Sequence, residues 1–206
     1  MTPATRMTRR RVGLAFAALA ATPAFAQAGT GEPDVFEHRG FTVDMSAMGS
    51  ERRAAVAGWI RQQIDLVESL NIREDIKVWF RTVRLTVDPA LNMPGRVDRN
   101  GLTLNDAVSP PENPVLLHEL LHVYQARRLA GGRGNPALVA AFDQAKTSGD
   151  WPPQAYMLSN INEFFAMTGS VALWGRAARP PSTRERLRAA MPDWYAFLVS
   201  EFGLQA

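Results

Sequence analysis

The sequence contains no cysteine. That excludes a disulfide framework and a lipid-modified cysteine anchor, so the fold must rest on its apolar core. A chain of this size is able to bury roughly 70% of the surface its unfolded form exposes. Histidine is scarce, with three in 206 residues: His38, His118 and His122. Internal repeats are missing. So is an apolar run long enough to cross a bilayer, because the run at residues 12–21 is too short for a permanent span. A surplus of positive charge is missing too once the first 26 residues are set aside. They hold four of the 23 basic side chains and no acid, which leaves 19 basic against 20 acidic in the remaining 180 residues. The basic pI of the whole chain therefore supports neither a nucleic-acid partner nor a membrane surface.

What is present begins at residues 1–26, which read as an export signal. Arg6, Arg9, Arg10 and Arg11 form a basic front, the apolar run follows, and Ala24-Phe25-Ala26 supplies a small-residue cleavage site. The alternative, an N-terminal membrane anchor, is disfavoured by the length of the run. Thr8-Arg9-Arg10-Arg11-Val12 also fits a twin-arginine signal loosely. Cleavage would leave no stable membrane anchor and place the protein in the periplasm or outside the cell. Residues 27–37 are polar, with glycine and proline, and predict a flexible arm. Residues 38–206 are then expected to form one domain.

The centre of that domain is Val115-Leu116-Leu117-His118-Glu119-Leu120-Leu121-His122-Val123-Tyr124. Residues four apart on a helix share a face, so His118 and His122 can direct their rings at one ion. Zinc takes about four ligands, at roughly 2.0–2.1 Å for nitrogen, and a catalytic site keeps one position for water. Glu119 lies beside that face, where a carboxylate can take a proton from the water. Among short motifs H-E-x-x-H is specific. The competing reading is a buried leucine-rich helix whose histidines merely pack. Asn113 and Pro114 supply an N-cap and first helical position, and Gly131-Gly132 follows the basic Arg127 and Arg128, so the helix is expected over residues 114–129.

The rest of the chain supplies a frame. Residues 39–46 alternate as a strand, 50–70 form an amphipathic helix, 75–81 a short helix and 83–88 a strand. Residues 95–105 predict a hairpin turning at Asn100-Gly101. Pro110-Pro111-Glu112 breaks the chain before the motif helix. Behind it come a helix over 136–146, a loop over 149–154 and a helix over 160–176 with Asn160 as N-cap. A last helical region opens at a capping box, Ser182-Thr183-Arg184-Glu185, and is kinked or restarted at Pro192. The expected class is α+β: a small mixed sheet packed on the motif helix, then a mostly helical C-terminal half.

A third metal ligand must come from that half. Its acids are Asp143, Asp150, Glu163, Glu185, Asp193 and Glu201. Glu163 stands apart, one turn into an otherwise apolar helix, where an isolated buried charge is costly and a metal would be a partner. The alternative is that Glu163 completes the cap with Asn160.

His118-Glu119-Leu120-Leu121-His122, followed by Asn162-Glu163-Phe164-Phe165-Ala166, resembles the gluzincin metallopeptidases. The E-F-F-A run looks most like the catalytic domain of anthrax lethal factor and its small bacterial relatives. The resemblance covers residues 114–176. It implies zinc on His118, His122 and Glu163, with Glu119 as general base. A family tyrosine seven residues before the ligand glutamate, stabilising the oxyanion, corresponds to Tyr156; the alternative for Tyr156 is packing in a proline-rich loop. The toxin's second acid, four residues beyond the ligand glutamate, is replaced here by Met167, which leaves Asn160, Thr168 or backbone oxygens to orient the histidines. By the same resemblance, residues 102–105 are expected to be an edge strand that aligns an extended peptide.

The expected function is hydrolysis of a peptide or protein substrate by water that Glu119 activates at zinc. The alternative is a catalytically silent, metal- or partner-binding accessory protein of the envelope, against which an intact Glu119 speaks. His38 is assigned no role and is expected to be exposed.

Overall fold

The computed structural model describes residues 32–110 and 113–205. The export signal expected at residues 1–26, and residues 27–31 of the arm, lie outside the described residues. The architecture is α+β, a five-stranded mixed sheet with seven helices among the described residues. The strands are β1 (Val35–His38), β2 (Phe41–Asp44), β3 (Leu85–Val87), β4 (Gly95–Asp98) and β5 (Gly101–Leu104). Their order across the sheet is β1-β2-β3-β5-β4. β2, β3 and β5 run parallel, while the outer strands β1 and β4 are antiparallel to their neighbours.

Each inner strand alternates as a half-buried strand should. Phe41 and Val43, Leu85 and Val87, and Leu102 and Leu104 point into the core and their neighbours do not go as deep. The strand expected over residues 39–46 is in fact the second arm of a hairpin. Arg39 and Gly40 both carry positive φ and close it, and β1 takes in Val35–Glu37 from the stretch read as a loose arm. Arg-Gly is not a standard turn pair, so sequence did not mark it. The second hairpin turns one residue earlier than expected. Asp98 pairs with Gly101, leaving Arg99 and Asn100 as the turn, and the Asn100 amide donates to Asp98 Oδ1. Gly101 has φ +145, and a Cβ there would lie 2.4 Å from the Arg84 carbonyl oxygen. Its glycine serves strand pairing rather than the turn itself.

The helices are α1 (Ser50–Glu68), α2 (Glu74–Arg81), α3 (Val115–Arg127), α4 (Pro136–Thr147), α5 (Ile161–Trp174), α6 (Arg184–Ala190) and α7 (Pro192–Phe202). α3 is the central one, packed against α5, α1 and strands β4 and β5. Its non-histidine faces carry Leu116, Leu117, Leu120, Leu121 and Val123, all fully buried. On the side away from the histidines Tyr124 meets Trp79 and Phe202, and its hydroxyl donates to Glu201 Oε1 at 2.7 Å. Pro192 restarts the last helix after Met191. The cap of α6 is Thr183, which accepts from the Arg186 amide, not Ser182; Ser182 has φ 64, which places it outside the helix. None of the described helices is long and apolar enough to cross a membrane.

Candidate metal centre

The motif helix starts one residue later than expected, with Pro114 as its N-cap and no capping side chain of its own. Asn113 does not cap it. Gln63 of α1, 1% exposed, does the work from a distance: its Oε1 accepts from the Leu116 amide and its Nε2 donates to the Asn113 carbonyl. One buried amide thus satisfies a donor that the first turn of a helix leaves open and ties the residue before it to α1. At the other end Arg127 donates to the Asp98 carbonyl of β4. α3 is therefore pinned at both ends by neighbours that nothing in its own sequence reveals.

α5 supplies the third group. Asn160 accepts from the amides of Asn162 and Glu163, which fixes the first turn and leaves the Glu163 side chain free of any capping duty. That carboxylate points at the histidines. His118 Nε2 and His122 Nε2 are 3.1 Å apart. Glu163 Oε2 is 3.1 Å from the first, and its Oε1 is 3.5 Å from the second. These approaches cannot all be hydrogen bonds at once. An Nε2 that donates to Glu163 has no lone pair left for the neighbouring ring. A shared cation satisfies all three, and a tetrahedral ion with bonds of about 2.0–2.1 Å would hold its ligands about 3.3 Å apart. The three groups fit zinc in kind, number and spacing. Burial pulls the Glu163 carboxyl upward, but hydrogen bonds to both histidines and their charge override it and hold it far below the ordinary carboxylate range.

Glu119 sits beside this cluster, 6% exposed. Burial pushes its carboxyl above the ordinary range, and His118 and His122 pull it partly back. The wall behind it is the backbone of β4. A Cβ built on Gly95 would fall 2.4 Å from Glu119 Cδ and 2.6 Å from Oε2, closer than atoms can approach. Gly95 is the one residue type that lets β4 lie against this carboxylate. From the sequence it was only the start of a hairpin.

The cluster opens into a cleft of about 780 Å³, within the range of small-ligand and substrate pockets. Tyr156 stands on its rim, 40% exposed, in the short turn Tyr156–Leu158 before α5. Burial and the neighbouring Glu163 carboxylate push its phenol up to about 12, and the Arg179 guanidinium lies 4.9 Å from its ring centroid. The structure thus brings His118, His122, Glu119, Glu163 and Tyr156 to one cleft. Two candidates for orienting the histidines are engaged elsewhere. Asn160 is the cap of α5, and Thr168 donates to the Phe164 carbonyl and accepts from Trp194 Nε1. His38 is also not the exposed residue expected. It is partly buried, with Nε2 2.9 Å from Asp65 Oδ1, on a different part of the molecule from the cleft lining.

The strand expected to offer a free edge does not have one. Residues 102–104 belong to β5, which is bonded to β3 on one side and β4 on the other. The edge is β4, and Gly95, Arg96 and Val97 line the cleft. Sequence order placed β5 next before the motif helix, but the hairpin folds β4 outward past it.

No family model matches this sequence, and no curated protein does. Among solved structures it is similar in fold to the Pro-Pro endopeptidase PPEP-2 from Paenibacillus alvei. That likeness has a TM-score of 0.50 at 16% sequence identity, and covers 78% of this chain and 96% of that one. The α+β frame around the cleft is therefore one that a peptidase also uses.

Proposed function

We propose that this protein is an exported, zinc-dependent metallopeptidase of the gluzincin type. The observation that carries the reading is the His118–His122–Glu163 triangle, whose edges match a tetrahedral ion, with the buried Glu119 beside it at an open cleft. The peptidase-like fold supports it. Export rests on residues 1–26, and the lethal-factor likeness on the motif residues 162–166.

Bound zinc supplies a Lewis acid that acidifies water and polarises a carbonyl. The chain's own groups do the rest. Glu119, held against β4 by the absence of a side chain at Gly95, takes a proton from the attacking water and returns it to the leaving amine. Tyr156, whose phenol stays protonated through the neutral range, donates to the carbonyl oxygen as negative charge grows there. An extended peptide adds to the edge of β4 that no other strand pairs among the described residues, by main-chain hydrogen bonds, and so lies across the cleft. A peptide complex with the chain running elsewhere would refute that placement.

Metal analysis of the purified protein tests the centre. About one zinc per chain is expected from the ligand set, lost in both His122→Ala and Glu163→Ala. Glu119→Gln should keep its zinc and lose turnover of a peptide library by about a hundred- to ten-thousandfold. Zinc retained in Glu163→Ala would remove the third ligand and the gluzincin reading with it. Zinc bound with no turnover by the unaltered protein would leave a metal-binding accessory protein.

A further inference from the structure

The charge of the cleft is one-sided. Three arginines from separate elements line it: Arg96 on β4, Arg133 in the connection between α3 and α4, and Arg179 between α5 and α6. Elsewhere arginines divide: Arg127, Arg184 and Arg186 bond backbone carbonyls, and others are matched to acids. Arg52, Arg53, Arg61, Arg81, Arg84 and Arg128 each pair with a carboxylate. Among the described residues no carboxylate pairs with Arg96, Arg133 or Arg179, and Arg179 instead lies over the Tyr156 ring. Among the described residues the only acids lining the cleft are Glu119 and Glu163. Their two negative charges balance a divalent ion, so the three guanidinium groups remain as the net charge of the walls.

A second observation is independent of the surface arginines. Gln125 follows His122 by three positions and His118 by seven, on the same stripe of α3. It lines the cleft and is 3% exposed, yet its Nε2 has no hydrogen-bond partner among the described residues. A buried amide donor without a partner is costly, and a bound acceptor would remove that cost. Gln125 and the arginines all lack the same thing, an anionic or carbonyl oxygen. Carboxylates suit the planar guanidinium fork well.

We propose that the cleft selects acidic peptides, with Asp or Glu side chains flanking the cleaved bond paired to Arg96, Arg133 and Arg179. The proposal rests on the peptidase reading and adds the substrate class. The chain as a whole carries a formal charge of only +3, so the preference belongs to the cleft rather than to general attraction.

The test uses the zinc-loaded full chain carrying Glu119→Gln and three fluorescent peptide pools, identical except for Glu, Gln or Lys at alternate positions. Anisotropy should show the Glu pool bound at least about tenfold more tightly than the Lys pool, with the gap narrowing as salt rises. Adding Arg96→Gln, Arg133→Gln and Arg179→Gln should bring the pools within about threefold of each other while zinc content stays the same. Equal binding, a Lys preference, or a Glu preference that survives the triple substitution overturns the proposal. In parallel, mass spectrometry follows cleavage of the same pools by the protein with Glu119 intact. Cleavage of none of them refutes the peptidase reading, while the binding ratio still decides the charge selection.

Discussion

Gly95 and Glu119 touch across 24 residues of sequence, and that contact sets where the Glu119 carboxylate can stand. Gly95→Ala forces either β4 outward or the carboxylate away from the cluster, since 2.4 Å admits no compromise. The three proposed metal ligands are on α3 and α5 and are not displaced. Turnover is therefore expected to fall by more than about tenfold with zinc content unchanged, measured by peptide hydrolysis beside elemental analysis. Unchanged turnover would show that Glu119 has room to spare. The residues that sequence made legible here are those bound to a local rule. His118, Glu119 and His122 follow from helix periodicity, and Glu163 from a lone charge in an apolar helix. Gly95 and Gln125 obey no such rule. Each matters through a space that two distant elements leave between them.

Among the elements, α3 and α5 carry the site, and their first turns are fixed in different ways. Asn160 caps α5 from the adjacent position, and the sequence shows it plainly. α3 is capped from α1 by Gln63, which sequence places on an amphipathic scaffold helix with no hint of its target. Gln63→Ala leaves the buried Leu116 amide without a partner, while the Asn113 carbonyl keeps the Val115 amide, and is expected to lower stability by about 1–3 kcal/mol in urea unfolding. Asn160→Ala is expected to cost about 1 kcal/mol and also to weaken zinc binding, because Glu163 stands in the turn that Asn160 holds. A loss of stability with zinc affinity unchanged would mean that Glu163 is placed by packing alone. The misplaced edge strand has a similar origin to the hidden cap. Alternation identifies strands but says nothing about which of two hairpin arms faces outward, and here the outer arm is the first one.

At the scale of the whole molecule, the ligand triangle joins the helix that follows the sheet to the core of the C-terminal half. With no disulfide, an ion shared by α3 and α5 would be the one cross-link this site provides. Zinc at 100 times its dissociation constant should therefore raise the unfolding free energy by about 2.7 kcal/mol. Calorimetry should show a higher Tm with zinc than after chelation, and His122→Ala should abolish the difference. A Tm indifferent to zinc in the unaltered protein would contradict a metal held by the folded state. The α+β class and the order of elements from β2 onward were legible because periodic segments mark them, whereas β1 was not. The layering was not, since strand order is decided by crossovers that leave no periodicity behind.

The hydrogen bond from Tyr124 to Glu201 has a bearing on when the protein matures. Two residues beyond His122, on the opposite side of the same helix, the tyrosine waits for a partner 77 residues downstream, and Phe202 beside it closes the aromatic cluster. A ribosome that has just released the histidine motif has therefore made a helix with one flank still bare. The face of α3 opposite the histidines is completed only when Glu201 and Phe202 are in place. The helix that presents the histidines thus takes its last support from the part of the domain that is made last.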